Sequence, residues 1–266
     1  MVEKEVIVEV KDLVKKFGSR TILNGVDLKV YKGETCVIMG GSGCGKSTLL
    51  RHMIGNLKPT SGRVSLLGKD ITDLYGQQLD EIRKKIGMSF QSSALFDSMT
   101  VGENVSLPLK EHTRLEKSVM EIMLKMKLEL VGLRGFEDLL PSELSGGMRK
   151  RVGLARAIAM DPQIIFYDEP TAGLDPIVAS VIDKLIIDLS KKLQVTSVVV
   201  THDMKSVMAI ADRIVMLYDG KVLETGTPDE IRSSRNEMVQ QFITGSFDGP
   251  IRFFQQKDDY LENLTQ

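Results

Sequence analysis

The run Gly40-Gly41-Ser42-Gly43-Cys44-Gly45-Lys46-Ser47-Thr48 fits the pattern G-x-x-x-x-G-K-[ST]. Glycines there let backbone N–H groups turn inward toward an anion that side chains would obstruct. The helix expected to follow presents its positive end to the same anion. Lys46 adds a full charge, and the Ser47 hydroxyl is a hard oxygen suited to Mg²⁺. The chemistry is the holding of a nucleotide's phosphates. From average residue usage the pattern arises by chance in ~1% of chains of this length.

A second constellation is Ile164-Ile165-Phe166-Tyr167-Asp168-Glu169, two carboxylates after an apolar run. Asp168 is suited to hold Mg²⁺, and Glu169, pointing differently, can polarise an attacking water. Charges commonly end strands, so this pair gains meaning only beside the phosphate loop. The third is Leu144-Ser145-Gly146-Gly147-Met148. A helix cap explains Ser145 alone, but two successive glycines cost helix stability and suggest another anion nest. Two nests in one chain suggest that two copies share each nucleotide, the phosphate loop of one facing Ser145, Gly146 and Gly147 of its mate.

These residues need a scaffold. Cys36-Val37-Ile38-Met39 is a short apolar run ending in the glycine-rich loop, and Ser47–Ile54 continues with helical character. Strand, loop and helix form a phosphate-binding α/β unit. Apolar runs at Ile164–Tyr167, Val198–Val200 and Ile214–Leu217 alternate with helical segments, as strands of a parallel sheet covered on both faces do. Val6–Val10 and Leu28–Val30 alternate like half-buried strands. Between about 92 and 160 strand-like runs vanish, while Leu115–Lys127 and Met148–Met160 have helical spacing. The expected fold is an α/β phosphate-loop core with a mostly parallel sheet, an N-terminal antiparallel portion and an inserted helical subdomain. One domain covers 1–266, with a core of 1–91 and 161–244, a helical subdomain of about 92–160 and a tail of 245–266.

Composition narrows the classes. Lys+Arg 35 against Asp+Glu 36 leaves no basic excess of the kind a nucleic-acid binder carries. No apolar run approaches the roughly 18 residues that span a bilayer, and the N-terminus lacks a secretory pattern. Cys36 and Cys44 make no disulfide framework. A cytoplasmic chain is expected, reaching any membrane through a partner. His52 reads as a packing or surface residue and His112 has no assigned chemistry. Cys44 reads as a small loop residue, with an oxidation switch as the sharper alternative. Met120, Met123 and Met126 read as core filling or an adaptable docking face.

With these motifs in order, the chain resembles the ATP-binding subunits of ABC transporters over nearly its whole length. The resemblance implies that Phe17 stacks on adenine and that Gln91 touches Mg²⁺ and relays nucleotide state to a membrane permease. It implies that Asp175, in Gly173-Leu174-Asp175, communicates across a homodimer and that His202 contacts the γ-phosphate. Read alone, Phe17 is a core residue, Gln91 a solvated loop residue and His202 a polar strand end. Two departures stand out: Gly41 where proline is common, and Met148 where glutamine is common. Neither removes a phosphate-contacting group. ATP with Mg²⁺ is the expected cofactor pair, and Glu169, His202 and Lys46 the expected catalytic residues.

Gln91-Ser92-Ser93-Ala94-Leu95-Phe96, Lys110-Glu111-His112-Thr113, Val131-Gly132-Leu133-Arg134-Gly135, Pro141-Ser142-Glu143 and Asp248-Gly249-Pro250 resemble one branch, the Mla-type phospholipid transporters of the Gram-negative envelope. That resemblance implies a separate permease, a periplasmic MCE-domain protein, a STAS-domain regulator in some relatives, and a place on the cytoplasmic face of the inner membrane. The alternatives are the ATPase of a small-solute importer and a soluble ABC ATPase acting on DNA or ribosomes. Against the latter stand the lack of a second motif set and of a basic excess. The tail from Gly245 is expected to brace the dimer, since Phe247, Phe253 and Phe254 are otherwise exposed.

Overall fold

In the computed structural model residues 4–251 are described. Strands β1 (Val6–Phe17) and β2 (Arg20–Tyr31) form an antiparallel hairpin, and β1 pairs on its other edge with β4 (Ser61–Leu66), which continues to β5 (Lys69–Asp70). Val8, Val10, Leu13, Val26 and Val30 are all buried. The strands are amphipathic because only one side of this sheet meets the core.

The second sheet is built from β3 (Thr35–Met39), β6 (Ile86–Ser89), β7 (Ile164–Asp168), β8 (Thr196–Thr201), β9 (Arg213–Tyr218) and β10 (Lys221–Gly226). Its order is β10-β9-β3-β8-β7-β6, parallel except for the antiparallel edge strand β10. Parallel neighbours need long crossovers, which the helices supply. Side chains alternate between two cores. Cys36, Ile38, Phe166, Val198 and Val200 pack toward α1 (Lys46–Met53), α2 (Gly76–Arg83) and the antiparallel sheet. Val37, Met39, Ile165, Tyr167 and Val199 pack toward α3 (Val101–His112), α4 (Lys117–Leu130), α5 (Gly146–Ala157), α6 (Pro176–Leu193) and α7 (Met204–Ile210). Burial on both faces is why these strands read as continuous apolar runs.

The stretch expected to be helical contains α3, α4, a 3₁₀ turn at Pro141–Glu143, and α5. Periodicity indicated α4 and α5 but not α3, whose interior holds Asn104 and Pro108. A capping box marks its start: the Glu103 N–H donates to Thr100 Oγ1 (3.2 Å) and the Thr100 N–H to Glu103 Oε2 (2.9 Å). Buried Asn104 works as a bracket, its side-chain amide donating to the Phe96 and Met99 carbonyls while its Oδ1 accepts from the Phe96 N–H. Helices α3 and α5 bury Val101, Val105, Val152 and Leu154 in one cluster with Ile165 and Tyr167, so the 92–160 stretch shares a core with the parallel sheet.

The chain ends in α8 (Pro228–Arg232) and α9 (Glu237–Thr244), and α9 stops at left-handed Gly245. Buried Gln241 anchors the segment beyond α9: its Oε1 accepts from the Ile251 N–H (2.7 Å) and its Nε2 donates to the Ile251 carbonyl (3.1 Å). Phe247 is exposed, and Phe253 and Phe254 lie outside the described residues. Met126 and Ile122 on α4 are also exposed, so core filling does not account for Met126. Among the described residues no helix is long and apolar enough to cross a membrane.

Candidate active site

The expected motifs meet at one edge of the parallel sheet. The phosphate loop leaves β3, Gln91 follows β6, Asp168 ends β7 and His202 follows β8. Cross-strand register holds them level: Met39 faces Thr201, Asp168 faces Val200, and Ser89 faces Tyr167. Ligands of open α/β sheets bind outside these carboxyl ends.

Gly40 is held at φ 153, and a Cβ there would lie 2.2 Å from the Leu217 carbonyl oxygen. No other residue fits without moving β9. Gly41 has open space around it and no left-handed backbone, so a side chain would fit there. Lys46 is nearly buried, and its Nζ donates to the Gly40 (2.8 Å) and Gly41 (3.0 Å) carbonyls. An ammonium has three donors, so one remains for a phosphate oxygen. Burial pushes the Cys44 thiol up against the opposing charge of Lys46, which disfavours the thiolate that an oxidation switch requires.

Ser47 Oγ donates to Asp168 Oδ1 at 3.3 Å. Burial pushes the Asp168 carboxyl upward, Ser47 opposes that, and the charge of Glu169 adds to it. A nearby cation would relieve both pressures. Among the described residues no group of three His, Cys, Asp or Glu is placed to hold a metal. Two hard oxygens at a phosphate loop match the way Mg²⁺ binds, through few protein ligands completed by phosphates and water.

Glu169 occupies the left-handed region at φ 47. Its N–H donates to the Val200 carbonyl (2.8 Å), which extends the β7–β8 pairing by one residue before the chain turns. The side chain, 11% exposed, accepts from Nδ1–H of His202 at Oε1 (2.9 Å), and the His202 N–H reaches Oε2 at 3.4 Å. Gln91 is exposed and lines an open pocket with Ser92, Asp168 and Gly173. Phe17, the last residue of β1, is 52% exposed, with Lys15 Nζ 4.9 Å from its ring centroid.

Ser145 caps α5, its hydroxyl accepting from the Met148 N–H at 3.2 Å. Gly147 has a packing reason of its own: a Cβ there would lie 2.6 Å from Val178 Cγ1 on α6. Gly146 has no such constraint, its nearest neighbour being Leu174 at 3.5 Å. Asp175 caps α6, accepting from the Ile177 and Val178 N–H groups at 3.0 Å. Among the hydrogen bonds of the described residues, none joins Ser145, Gly146, Gly147 or Asp175 to Lys46, Asp168, Glu169 or His202. Of the two remaining histidines, His52 is buried with Nδ1 against the Thr48 carbonyl (2.7 Å), and His112 lines an outer cavity with Met88 and Arg156.

Sequence reading missed Lys150 and Arg156. Lys150 Nζ donates to the Gln91 carbonyl and, at 3.4 Å, to the Glu169 carbonyl. Arg156 donates to the carbonyls of Ser93 (2.6 Å) and Ala94 (2.7 Å), both left-handed. A signal was present: Lys150 shares the i, i+3, i+4, i+7 stripe of α5 with Gly153, Leu154 and Ala157, all buried.

A parallel sheet with a phosphate loop after its central strand and an acidic pair on a neighbouring strand defines a nucleotide-hydrolysing class of phosphate-loop protein. The sequence pattern of the family described as ABC transporter matches residues 23–172. The chain belongs to that family and is one of its ATP-binding ATPase subunits. It is 46% identical over 260 residues to the intermembrane phospholipid transport system ATP-binding protein MlaF of Haemophilus influenzae, covering 98% of each chain. It is 43% identical to the protein of the same name from Escherichia coli, covering 97% of this chain and 96% of that one. Among solved structures it is similar to the dimeric, post-hydrolysis ATP-binding cassette MJ0796 bound to ADP and Pi. That likeness has a TM-score of 0.77 and 36% identity, over 84% of this chain and 99% of that one.

Proposed function

We propose that this chain drives phospholipid transport, as the ATPase of a system whose membrane-spanning part is a separate permease. The observation that carries this reading is the end-to-end match to two MlaF proteins, at 46% and 43% identity. The same reading includes an MCE-domain partner, the STAS-domain regulator that only some relatives need, and attachment to the cytoplasmic face of the inner membrane through the permease.

We further propose a head-to-tail homodimer. The hydrogen-bonding isolation of the Ser145–Gly147 nest from the phosphate loop in one chain supports a role toward a partner's nucleotide, and the dimeric relative supports the same arrangement. In this reading Phe17 stacks on adenine and the loop Gly40 to Gly45, with Lys46 and Thr48, wraps the phosphates. Ser47, Asp168 and Gln91 would hold Mg²⁺, which when bound supplies charge neutralisation at the phosphates. Lys46 turns its free donor to the γ-phosphate. Glu169 accepts a proton from water aligned for in-line attack, and His202 together with the partner's nest offsets charge on the departing phosphoryl oxygens. Asp175 carries the state of one site toward the other.

Affinity purification of the full chain from gently solubilised membranes, with mass spectrometry of associated proteins and lipids, tests the proposal. A permease with an MCE-domain protein and retained phospholipid supports it. A permease with a solute-binding protein would replace it with small-solute import, and nucleic acid or ribosomes without a permease would reject transport.

A further inference from the structure

Helix α5 carries a buried cation to which the proposed hydrolysis steps give no part. Lys150 is 7% exposed, and no carboxylate among the described residues lies within salt-bridge distance of it. Taking an ammonium out of water is costly unless its donors are met. What it gains is two carbonyls: Gln91 beyond β6 and Glu169 beyond β7. Glu169 is thereby held at both ends, its N–H on the Val200 carbonyl and its C=O on Lys150, in a left-handed conformation that a non-glycine residue adopts at a cost.

The grip extends along the helix. One turn on, α5 packs against Ser93 at Gly153, where a Cβ would make ordinary contact with Ser93 Cβ at 3.4 Å. Arg156 then takes the Ser93 and Ala94 carbonyls. The buried side of α5 therefore holds the loop 91–94, and its N-terminus carries Ser145, Gly146 and Gly147.

We infer that Lys150 is a positioning residue for ATP hydrolysis, locking the Gln91 and Glu169 backbones to the helix that bears the Ser145–Gly147 nest. The inference rests on the proposed roles of Glu169 and Gln91. Movement of α5 against a partner's nucleotide is carried by one side chain to both loops. Three donors on a slim stem suit two carbonyls approached from one side.

The test compares full-length wild type with Lys150→Met, Lys150→Gln and Leu154→Ala, the last a core truncation on the same helix. Steady-state ATPase, nucleotide affinity and local hydrogen exchange are measured together. Expected is a 10- to 100-fold lower kcat for Lys150→Met, within the range that misplacing a reacting group costs, with nucleotide Kd within about twofold of wild type. Amides of residues 91–94, 169 and 171 exchange faster in that variant but not in Leu154→Ala, and Lys150→Gln, which keeps donors, recovers part of the rate. An unchanged kcat in folded Lys150→Met overturns the inference. So does an equal loss of kcat in Leu154→Ala at matched thermal stability, which would make Lys150 merely structural. Glu169→Gln is run alongside: full activity there rejects the assignment of the base, while the exchange pattern still decides whether Lys150 holds the two loops.

Discussion

Nδ1–H of His202 donates to Oε1 of Glu169 across 2.9 Å, and the imidazole is 59% exposed whereas the carboxylate is 11% exposed. The proposed base is thus held in one direction by a residue whose ring lies largely in solvent. The carboxylate keeps further lone pairs for a water proton, and a γ-phosphate is an anion that would compete with it for the imidazole N–H.

Glu169→Gln removes the base and keeps the shape. Hydrolysis is expected to fall by about 10²- to 10⁴-fold while ATP binding persists and an ATP-bound dimer accumulates. Phosphate release and light scattering with ATP check both halves. Wild-type turnover together with a monomer would remove Glu169 from the mechanism.

The two neighbouring loop glycines should separate cleanly. Gly40→Ala drives a Cβ into the Leu217 carbonyl at 2.2 Å, and loss of nucleotide binding with a lowered melting temperature is expected. Gly41→Ala meets open space, and its stability should stay within about 0.5 kcal/mol of wild type. Thermal unfolding and nucleotide titration read both, and similar behaviour of the pair would contradict the geometry.

Gly147 has a packing reason to be glycine and a proposed role in the nest, and a double substitution tells them apart. Gly147→Ala sets a methyl 2.6 Å from Val178 Cγ1, and overpacking of that kind costs about 1–3 kcal/mol. Val178→Ala should return part of the lost stability. If the ATPase rate stays low in the double variant, Gly147 serves the nest as well as the α5–α6 contact. A rate restored in step with stability would make packing the whole explanation.

Asp183 on α6 accepts from Ser206 Oγ at 2.8 Å with one carboxylate oxygen and, among the described residues, has no partner for the other. Burial raises its pKa above the ordinary 3.8, Ser206 opposes the rise, and the charge of Asp203 reinforces it. The folded state therefore binds this proton more tightly than the unfolded chain. Its contribution to stability is present below pH 3.8 and is lost as pH rises through the raised folded value. Asp183→Asn should be more stable than wild type at pH 7, with the difference narrowing on acidification toward pH 4. Urea midpoints at several pH values decide it; a difference independent of pH means that Asp183 does not titrate in this way.

Local chemistry made much of the site legible. Phosphate binding needs glycine-rich backbone and a lysine at one fixed spacing, so Gly40 to Thr48 could be read without coordinates. The acidic pair Asp168 and Glu169 could be read because it interrupts a buried, continuously apolar strand. Helix α3 was obscured by Pro108 and Asn104, whose place in a helix is secured by the Thr100–Glu103 box and by contacts to Phe96 and Met99. Lys150 was obscured because a lysine in a helix ordinarily points to water.

By itself the sequence determined which residues are equipped for phosphate and metal chemistry, which strands are buried on both faces, and which family the chain resembles. Those properties live in residue type and short spacing, where backbone freedom and side-chain polarity act over a few residues. Only the tertiary structure decided that β6, β7, β8 and β3 lie side by side and end at one level, and that His202 meets Glu169. It also decided that one buried lysine joins two loops far apart in the chain. Such pairings depend on strand order and helix packing, which the whole core selects at once.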